Sequence, residues 1–288
     1  MPVTGTLYIV ATPIGNLEDI TLRALRVLRE VGLAAAEDTR RTGKLFKAYE
    51  IRTPLTSLHD WNEREKSAVI LKELLAGTDV AYVSDAGTPG ISDPGYHLVK
   101  TALERAVPVV PIPGPSAIIA AVSVSGLPTD RFSFFGFLPS RSGARRKFLE
   151  TLAEEEKTMV FYESPRRVAA ALEDLKTRLG DRHVVIAREL TKLHEEILRG
   201  RITEVAPVLR ERPPRGEITL IVSGREKAPA ALPPEDTLRR RIEDLSGKEN
   251  LSVRDLVRRI TDETGLPRGV VYGQVLQIMK KKKDLRRP

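Results

Sequence analysis

The sequence predicts an α/β protein made of two successive α/β domains followed by a small helical module. Three observations carry that expectation. Apolar runs of strand length alternate with amphipathic helical stretches from Thr6 to Ser223. The punctuation Ser125-Gly126-Leu127-Pro128 divides the alternation into two sets. Alanine and proline then dominate residues 227–234, a linker composition, and the pattern beyond it is purely helical. The expected boundaries are therefore residues 1–126, 127–226 and 235–288, which suits a chain of 288 residues.

In the first set, residues 6–11 read as a strand that stops at Thr12-Pro13-Ile14-Gly15-Asn16-Leu17, a turn by its proline and glycine. From Asp19 a helix places Leu22, Leu25 and Leu28 on one side and Arg23, Arg26 and Arg29 on the other. The turn lacks the glycine spacing of a dinucleotide fingerprint, and no G-x-x-x-x-G-K-[ST] occurs. Nicotinamide dehydrogenases and P-loop enzymes are thus disfavoured. Residues 33–36 form a short small-residue strand ending in Glu37-Asp38-Thr39-Arg40-Arg41, read here as a solvated turn. His59, beside the only tryptophan (Trp61), reads as a structural hydrogen-bonding residue, and residues 62–75 as a helix.

Residues 80–117 concentrate the ligand-binding signal. Two apolar runs, residues 80–83 and 109–112, each break into glycine, proline and small polar residues and then into a helical pattern. In an open α/β sheet such loops, at the carboxyl ends of strands, are where ligands bind. Gly87, Gly90, Gly95 and Gly114 permit close backbone approach, and Thr88, Ser92 and Ser116 supply hydroxyls. Asp85 and Asp93 add negative charge, which suits a cationic or hydroxyl-bearing ligand better than a polyphosphate.

In the second set, residues 131–137 read as a strand, and Arg141, Arg145, Arg146 and Lys147 lead into a helix. The strand at residues 158–162 ends in Glu163-Ser164-Pro165-Arg166-Arg167, with Pro165 placed to start a helix. Strands follow at residues 183–187 and 217–223. In the tail, Ser252 and Asp255 form a capping box ahead of Val253, Leu256, Val257 and Ile260. A turn at Thr264-Gly265-Leu266-Pro267 precedes a helix striped by Tyr272, Val275, Leu276 and Met279, an arrangement similar to a helix-turn-helix. Lys280, Lys281, Lys282, Lys283, Arg286 and Arg287 end the chain as a cluster suited to polyanion contact.

Composition narrows the class. A hydrophobic share of 41% supports real cores, and no apolar run approaches the roughly 18 residues of a membrane span. No basic and apolar leader stands at the start, so a cytoplasmic location without membrane attachment is expected. The absence of cysteine rules out disulfides and thiolate metal sites, and four scattered histidines point to no metal centre. A formal net charge of +8 permits polyanion affinity.

Seven motifs in order carry a family resemblance. They are Ala11-Thr12-Pro13-Ile14-Gly15-Asn16-Leu17, Glu37-Asp38-Thr39-Arg40, Ser84-Asp85-Ala86-Gly87-Thr88-Pro89, Ile91-Ser92-Asp93-Pro94-Gly95, Pro113-Gly114-Pro115-Ser116-Ala117, Tyr162-Glu163-Ser164-Pro165-x-Arg167 and Ala187-Arg188-Glu189-Leu190-Thr191-Lys192. Together they resemble the tetrapyrrole-methylase-type methyltransferases, and within them the ribosomal RNA small-subunit methyltransferase I group. At Arg166 the sequence departs from the histidine common in that group. The resemblance implies a cleft between two α/β domains that holds S-adenosylmethionine, and a homodimer. It implies methylation of the ribose 2'-hydroxyl of a cytidine in 16S rRNA, within the 30S subunit. Carried over, the cofactor contacts are Pro13, Ser84, Asp85, Ala86, Gly87, Thr88, Ile91, Ser92, Ser116, Ala117, Tyr162, Leu190, Gly216 and Glu217. Candidates for activating the hydroxyl are Asp38 as base and Arg40 as polariser or phosphate anchor. Candidates for holding RNA are Arg141, Arg145, Arg166, Arg167 and Lys280 to Lys283. Two other classes stay open: a tetrapyrrole C-methyltransferase acting on a uroporphyrinogen or precorrin, and a non-enzymatic nucleic-acid-binding protein.

Overall fold

The computed structural model describes residues 4–226, 235–248, 251–264 and 266–284, with side chains omitted at 235–237, 247–248 and 281–284. Contacts group residues 1–225 into one compact unit and residues 226–288 into a second. The larger unit holds two sheets. The first takes β1 (Leu7–Val10), β2 (Leu33–Ala36), β3 (Leu55–Ser57), β4 (Val80–Val83) and β5 (Val109–Ile112) in the order β3-β2-β4-β1-β5, all parallel. The helices between them are α1 (Leu22–Glu30), α2 (Thr39–Ala48), α3 (Glu63–Leu75) and α4 (Tyr96–Glu104), with α5 (Ala117–Ser123) after β5. Helices covering both faces of a parallel sheet explain why β4, Val-Ala-Tyr-Val, is apolar and buried throughout. Because β4, β1 and β5 are neighbours, the loops at their carboxyl ends converge on one place.

The second sheet runs β6-β7-β10-β8-β9, from β6 (Phe132–Phe137), β7 (Thr158–Glu163), β8 (His183–Arg188), β9 (Glu196–Arg201) and β10 (Ile218–Val222). Only β6 and β7 pair in parallel; the other neighbours are antiparallel. Helices α6 (Ser142–Glu150), α7 (Val168–Leu179) and α8 (Ile202–Glu211) complete this half. Its strands show the period of two directly. Met159, Phe161 and Leu220 pack into the core under α6, α7 and α8, while Val160, Val185 and Ile221 point the other way. On that other face they meet Ile118, Ala121 and Val122 of α5, together with Ile14. The two halves thus share an apolar layer, which sets the first-sheet loops against the second-sheet loops.

Several local expectations change. Residues 39–41 begin α2 rather than a turn: Asp38 Oδ1 accepts from the Arg40 backbone N–H at 2.8 Å, and Thr42, Leu45 and Phe46 are buried behind it. In α1 the buried face is Ala24, Leu25, Val27 and Leu28, while Leu22 is 86% exposed. Strands β3 and β9 and helix α8 lack clear signals, since β3 is three residues long and β9 alternates with arginine and glycine.

The smaller unit contains three helices among the described residues: α9 (Glu235–Lys248), α10 (Val253–Thr264) and α11 (Arg268–Asp284). Leu238, Ile242, Leu256, Ile260, Val271 and Val275 are among the residues of its own core. Helix α9 falls within the stretch expected to be helical and precedes the two helices of the expected helix-turn-helix. In α11 the buried stripe is Val271, Val275 and Ile278, leaving Tyr272 and Leu276 half exposed. The Ser252 hydroxyl caps α10, accepting from the Asp255 N–H at 3.2 Å.

Candidate functional site

The first-sheet loops are pinned to one another. Thr12 and Gly87 exchange backbone hydrogen bonds at 2.9 and 3.0 Å, and the Thr12 hydroxyl donates to the Ser84 carbonyl at 3.2 Å. Gly87 sits at φ +79°, where a side chain strains the backbone. Ser116 caps α5 from the third loop. On the opposite side, Tyr162 is the penultimate residue of β7, and its ring meets Phe134 edge-on at 5.0 Å and Phe137 at 5.5 Å. A register shift between Phe134 and Phe137 marks a bulge, and Gly136 within it lies beside Ser92. Asn16 donates its N–H to the Thr191 hydroxyl at 3.1 Å, joining the β1 and β8 loops.

These loops enclose a cleft of about 350 Å³, within the range of small-molecule sites. Ala86, Gly87, Thr88, Ile91, Ser92, Ser116 and Ala117 line it from the first half, and Tyr162, Leu190, Gly216 and Glu217 from the second. Pro13, Ser84 and Asp85 stand behind that lining. Ile14 takes the lining position next to Pro13, and buried Ser84 serves as a hydrogen-bonding support. The carboxylate of Asp85 accepts the Asp38 N–H at 3.0 Å and pairs with Arg41 at 3.2 Å. The structure adds Asp93, Phe137, Glu163, Ser164, Pro165, Ala187, Ile218 and Thr219 to the lining. Asp93 is marked in the sequence by its charge within a first-sheet loop; the signal of the others is position, at or just beyond the end of a second-sheet strand or at the start of β10.

Acids dominate the electrostatics of the cleft. Asp93 has its proton affinity pushed up to about 6, first by burial and then by the Glu37 carboxylate, with the Ser84 hydroxyl opposing. Burial, more than any neighbour, also raises Glu37. Asp38 is the opposite case. The side-chain hydrogen bonds from Arg40, followed by the Arg40 backbone N–H, hold it down to about 2. Its carboxylate is occupied by Arg40 Nε at 3.1 Å and Nη2 at 2.9 Å, and neither residue lines the cleft. Glu163 is 2% exposed; its Oε1 accepts from the Ser164 N–H and from Arg167 Nη2, each at 2.6 Å, while Oε2 has no hydrogen-bond partner among the described residues. Glu217 pairs with Lys192 at 3.0 Å. Burial pushes the Tyr162 hydroxyl up to about 12.

The expected RNA contacts divide. Arg141 and Arg166 are exposed. Arg145 is not available to a phosphate: it is 3% exposed, with Nη2 on Asp174 at 2.6 Å and Nη1 on the Pro139 and Ser140 carbonyls. Burying a guanidinium requires that its donors be filled, and Asp174 fills them. Arg167 is tied to Glu163. Lys280 is exposed in α11; the side chains of Lys281, Lys282 and Lys283, and all of Arg286 and Arg287, lie outside the described residues.

With this geometry in place, comparison with known proteins is decisive. The family described as Tetrapyrrole (Corrin/Porphyrin) Methylases matches residues 6–206. A protein of Synechocystis sp. called "Ribosomal RNA small subunit methyltransferase I" is 46% identical over 95% of this chain and 98% of its own. The chain belongs to the tetrapyrrole methylases, in the family of the ribosomal RNA small subunit methyltransferases I. A family member from Thermotoga maritima is 50% identical and is matched over 100% of its length by 77% of this chain. Members of this family therefore differ in how much chain accompanies the shared part. Among solved structures, uroporphyrin-III C-methyl transferase from Thermus thermophilus, complexed with S-adenyl homocysteine, superposes with a TM-score of 0.56. It is 21% identical and covers 76% of this chain and 97% of its own. Cobalt precorrin-4 methyltransferase gives a TM-score of 0.59 at 17% identity, over 76% and 94%. At these identities the likeness establishes the family fold.

Proposed function

We propose that this chain transfers a methyl group from S-adenosylmethionine to the ribose 2'-hydroxyl of a cytidine in 16S rRNA, within the 30S subunit. The observation that carries the reading is the cleft. Its glycine-rich first-sheet loops face an aromatic second-sheet wall, in a chain 46% identical to a protein named for small-subunit rRNA methylation. The site fits a folded nucleoside cofactor. Gly87 and Gly216, both at positive φ, bring backbone to its surface without a side chain. Ile14, Leu190 and Phe137 offer apolar cover, and Asp93, Glu163 and Glu217 supply the negative charge that suits a cation.

When bound, the cofactor supplies a methyl group on a positively charged sulfur with a good leaving group. The chain's own task is positioning and exclusion of water. The Thr12–Gly87 bridge fixes the floor, α5 and the second sheet lock the opposing wall, and Glu163 with Arg167 anchors the turn that carries Ser164 and Pro165. Exposed Arg141 and Arg166, with the helical tail unit and Lys280, are the groups offered to phosphates. A homodimer in the cytoplasm completes the reading; among the described residues no helix is long and apolar enough to cross a membrane. The test is incubation with methyl-labelled S-adenosylmethionine and, separately, undermethylated 30S particles, naked rRNA and uroporphyrinogen. Label in the 30S or rRNA fraction, resistant to alkaline cleavage at the modified ribose, supports the reading. Label on uroporphyrinogen alone overturns it in favour of C-methylation.

A further inference from the structure

We infer that Asp93 is the catalytic base that takes the proton from the attacking ribose hydroxyl, an inference that rests on the rRNA-methylation reading above. Three carboxylates line the cleft, and two of them are already committed: Glu163 to Arg167 and Glu217 to Lys192. Asp93 alone of the three has no cationic partner among the described residues. It lies in the loop between β4 and α4, next to Ser92, whose backbone takes the left-handed conformation at φ 62°. That turn presents residues 91–93 to the second-sheet wall, where Gly136 and Phe137 stand opposite.

The groups around Asp93 explain why it suits a base at neutral pH. Glu37 beyond β2, Asp60 before α3 and Asp85 beyond β4 are all acidic, and the Ser84 hydroxyl opposes them by favouring the ionised form. Tyr82 and Tyr162 are both kept protonated by burial, with the Asp93 charge adding to the effect, and the Tyr82 hydroxyl donates to the neighbouring Pro94 carbonyl at 2.9 Å. A base of this kind works best when its proton affinity lies near the operating pH. Asp38, held down by Arg40 and away from the cleft lining, is a poor acceptor by the same criterion.

The step balances. The ribose O–H bond breaks and its proton passes to a carboxylate oxygen of Asp93. The oxygen's electron pair forms the new O–CH₃ bond as the S–CH₃ bond breaks, and that bond's pair stays on sulfur as a neutral thioether. One positive and one negative charge disappear together, which favours the reaction in a half-buried site. The proton then leaves the Asp93 carboxyl for solvent.

The experiment compares wild type with Asp93→Asn and Glu37→Gln. Single-turnover methylation of undermethylated 30S particles is measured from pH 5 to 8, with cofactor affinity measured by calorimetry. For wild type the rate climbs about tenfold per pH unit and levels once Asp93 is ionised, near its midpoint of about 6. Asp93→Asn lowers the plateau by roughly 10²- to 10⁴-fold and abolishes the rising limb, both read at saturating cofactor. Glu37→Gln, which removes a neighbouring negative charge, moves the limb to lower pH. A readout independent of turnover is carbon-13 NMR of aspartate carboxyls: one signal titrates with a midpoint near 6 and is missing from Asp93→Asn. An Asp93→Asn enzyme that keeps the wild-type rate and limb overturns the assignment, as does a Glu37→Gln limb that stays in place. Failure of the wild type to methylate 30S or rRNA overturns the rRNA reading instead, and the NMR titration then stands or falls by itself.

Discussion

Replacing Asp93 with asparagine should stabilise the protein while disabling it. The carboxyl is raised from 3.8 to about 6, chiefly by burial, so in the folded state its ionised form is disfavoured relative to the unfolded chain. The sign follows. Below pH 3.8 the group is protonated in both states and contributes no difference. As pH rises to about 6, the unfolded chain ionises first and stability falls; above that point the penalty is constant. A shift of this size corresponds to an upper bound of about 3 kcal/mol. Asp93 is only half buried, and solvent screening reduces the figure to about 1 kcal/mol. Asparagine, neutral and nearly isosteric, does not carry the penalty. Asp93→Asn should therefore raise the midpoint of the 225-residue unit at pH 8 by about 2–4 °C, with the gain vanishing toward pH 4. Scanning calorimetry across that range is the assay. Equal gains at every pH, or destabilisation at pH 8, would refute the account of Asp93 as a strained carboxylate.

Other outcomes follow from neighbouring features. Gly87→Val should weaken S-adenosylmethionine binding by about tenfold or more because its side chain blocks the close approach of backbone to the cofactor; a Cβ at Gly87 meets nothing closer than 3.5 Å, and backbone strain of about 1–2 kcal/mol leaves the fold intact. Unchanged affinity in calorimetric titration would remove that loop from the site. Arg167→Met should destabilise by about 2–3 kcal/mol because it strands the buried Glu163 carboxylate, and adding Glu163→Gln should restore much of the loss in urea titration. Deleting residues 226–288, a unit with its own core, should leave cofactor affinity intact while lowering 30S or rRNA affinity and flattening its salt dependence. Full retention of the salt slope would show that the tail unit does not hold RNA. Sedimentation at micromolar concentration should give twice the 32.0 kDa chain mass, and a monomer would remove dimerisation from the reading.

What the sequence determined is the part governed by local chemistry. Val80-Ala81-Tyr82-Val83, broken by Ser84-Asp85-Ala86-Gly87, specifies a buried parallel strand and a loop whose glycine adopts φ +79°. Such patterns depend on side-chain periodicity and backbone sterics within a few residues, and they located the first-sheet loops of the cleft, while the individual contacts were what the family resemblance implied. Tertiary structure decided what depends on neighbours distant in the chain. Arg145 reads as a surface cation in Arg141-Ser142-Gly143-Ala144-Arg145-Arg146, yet Asp174, 29 residues away, fills its donors and buries it. Asp38 and Asp93 are the same side chain in similarly polar stretches. One is held acidic by the arginine two positions on, the other is raised by burial against Glu37, 56 positions back. Burial and Coulomb interactions depend on separation in space, and the order β3-β2-β4-β1-β5 brings the ends of β2 and β4 side by side.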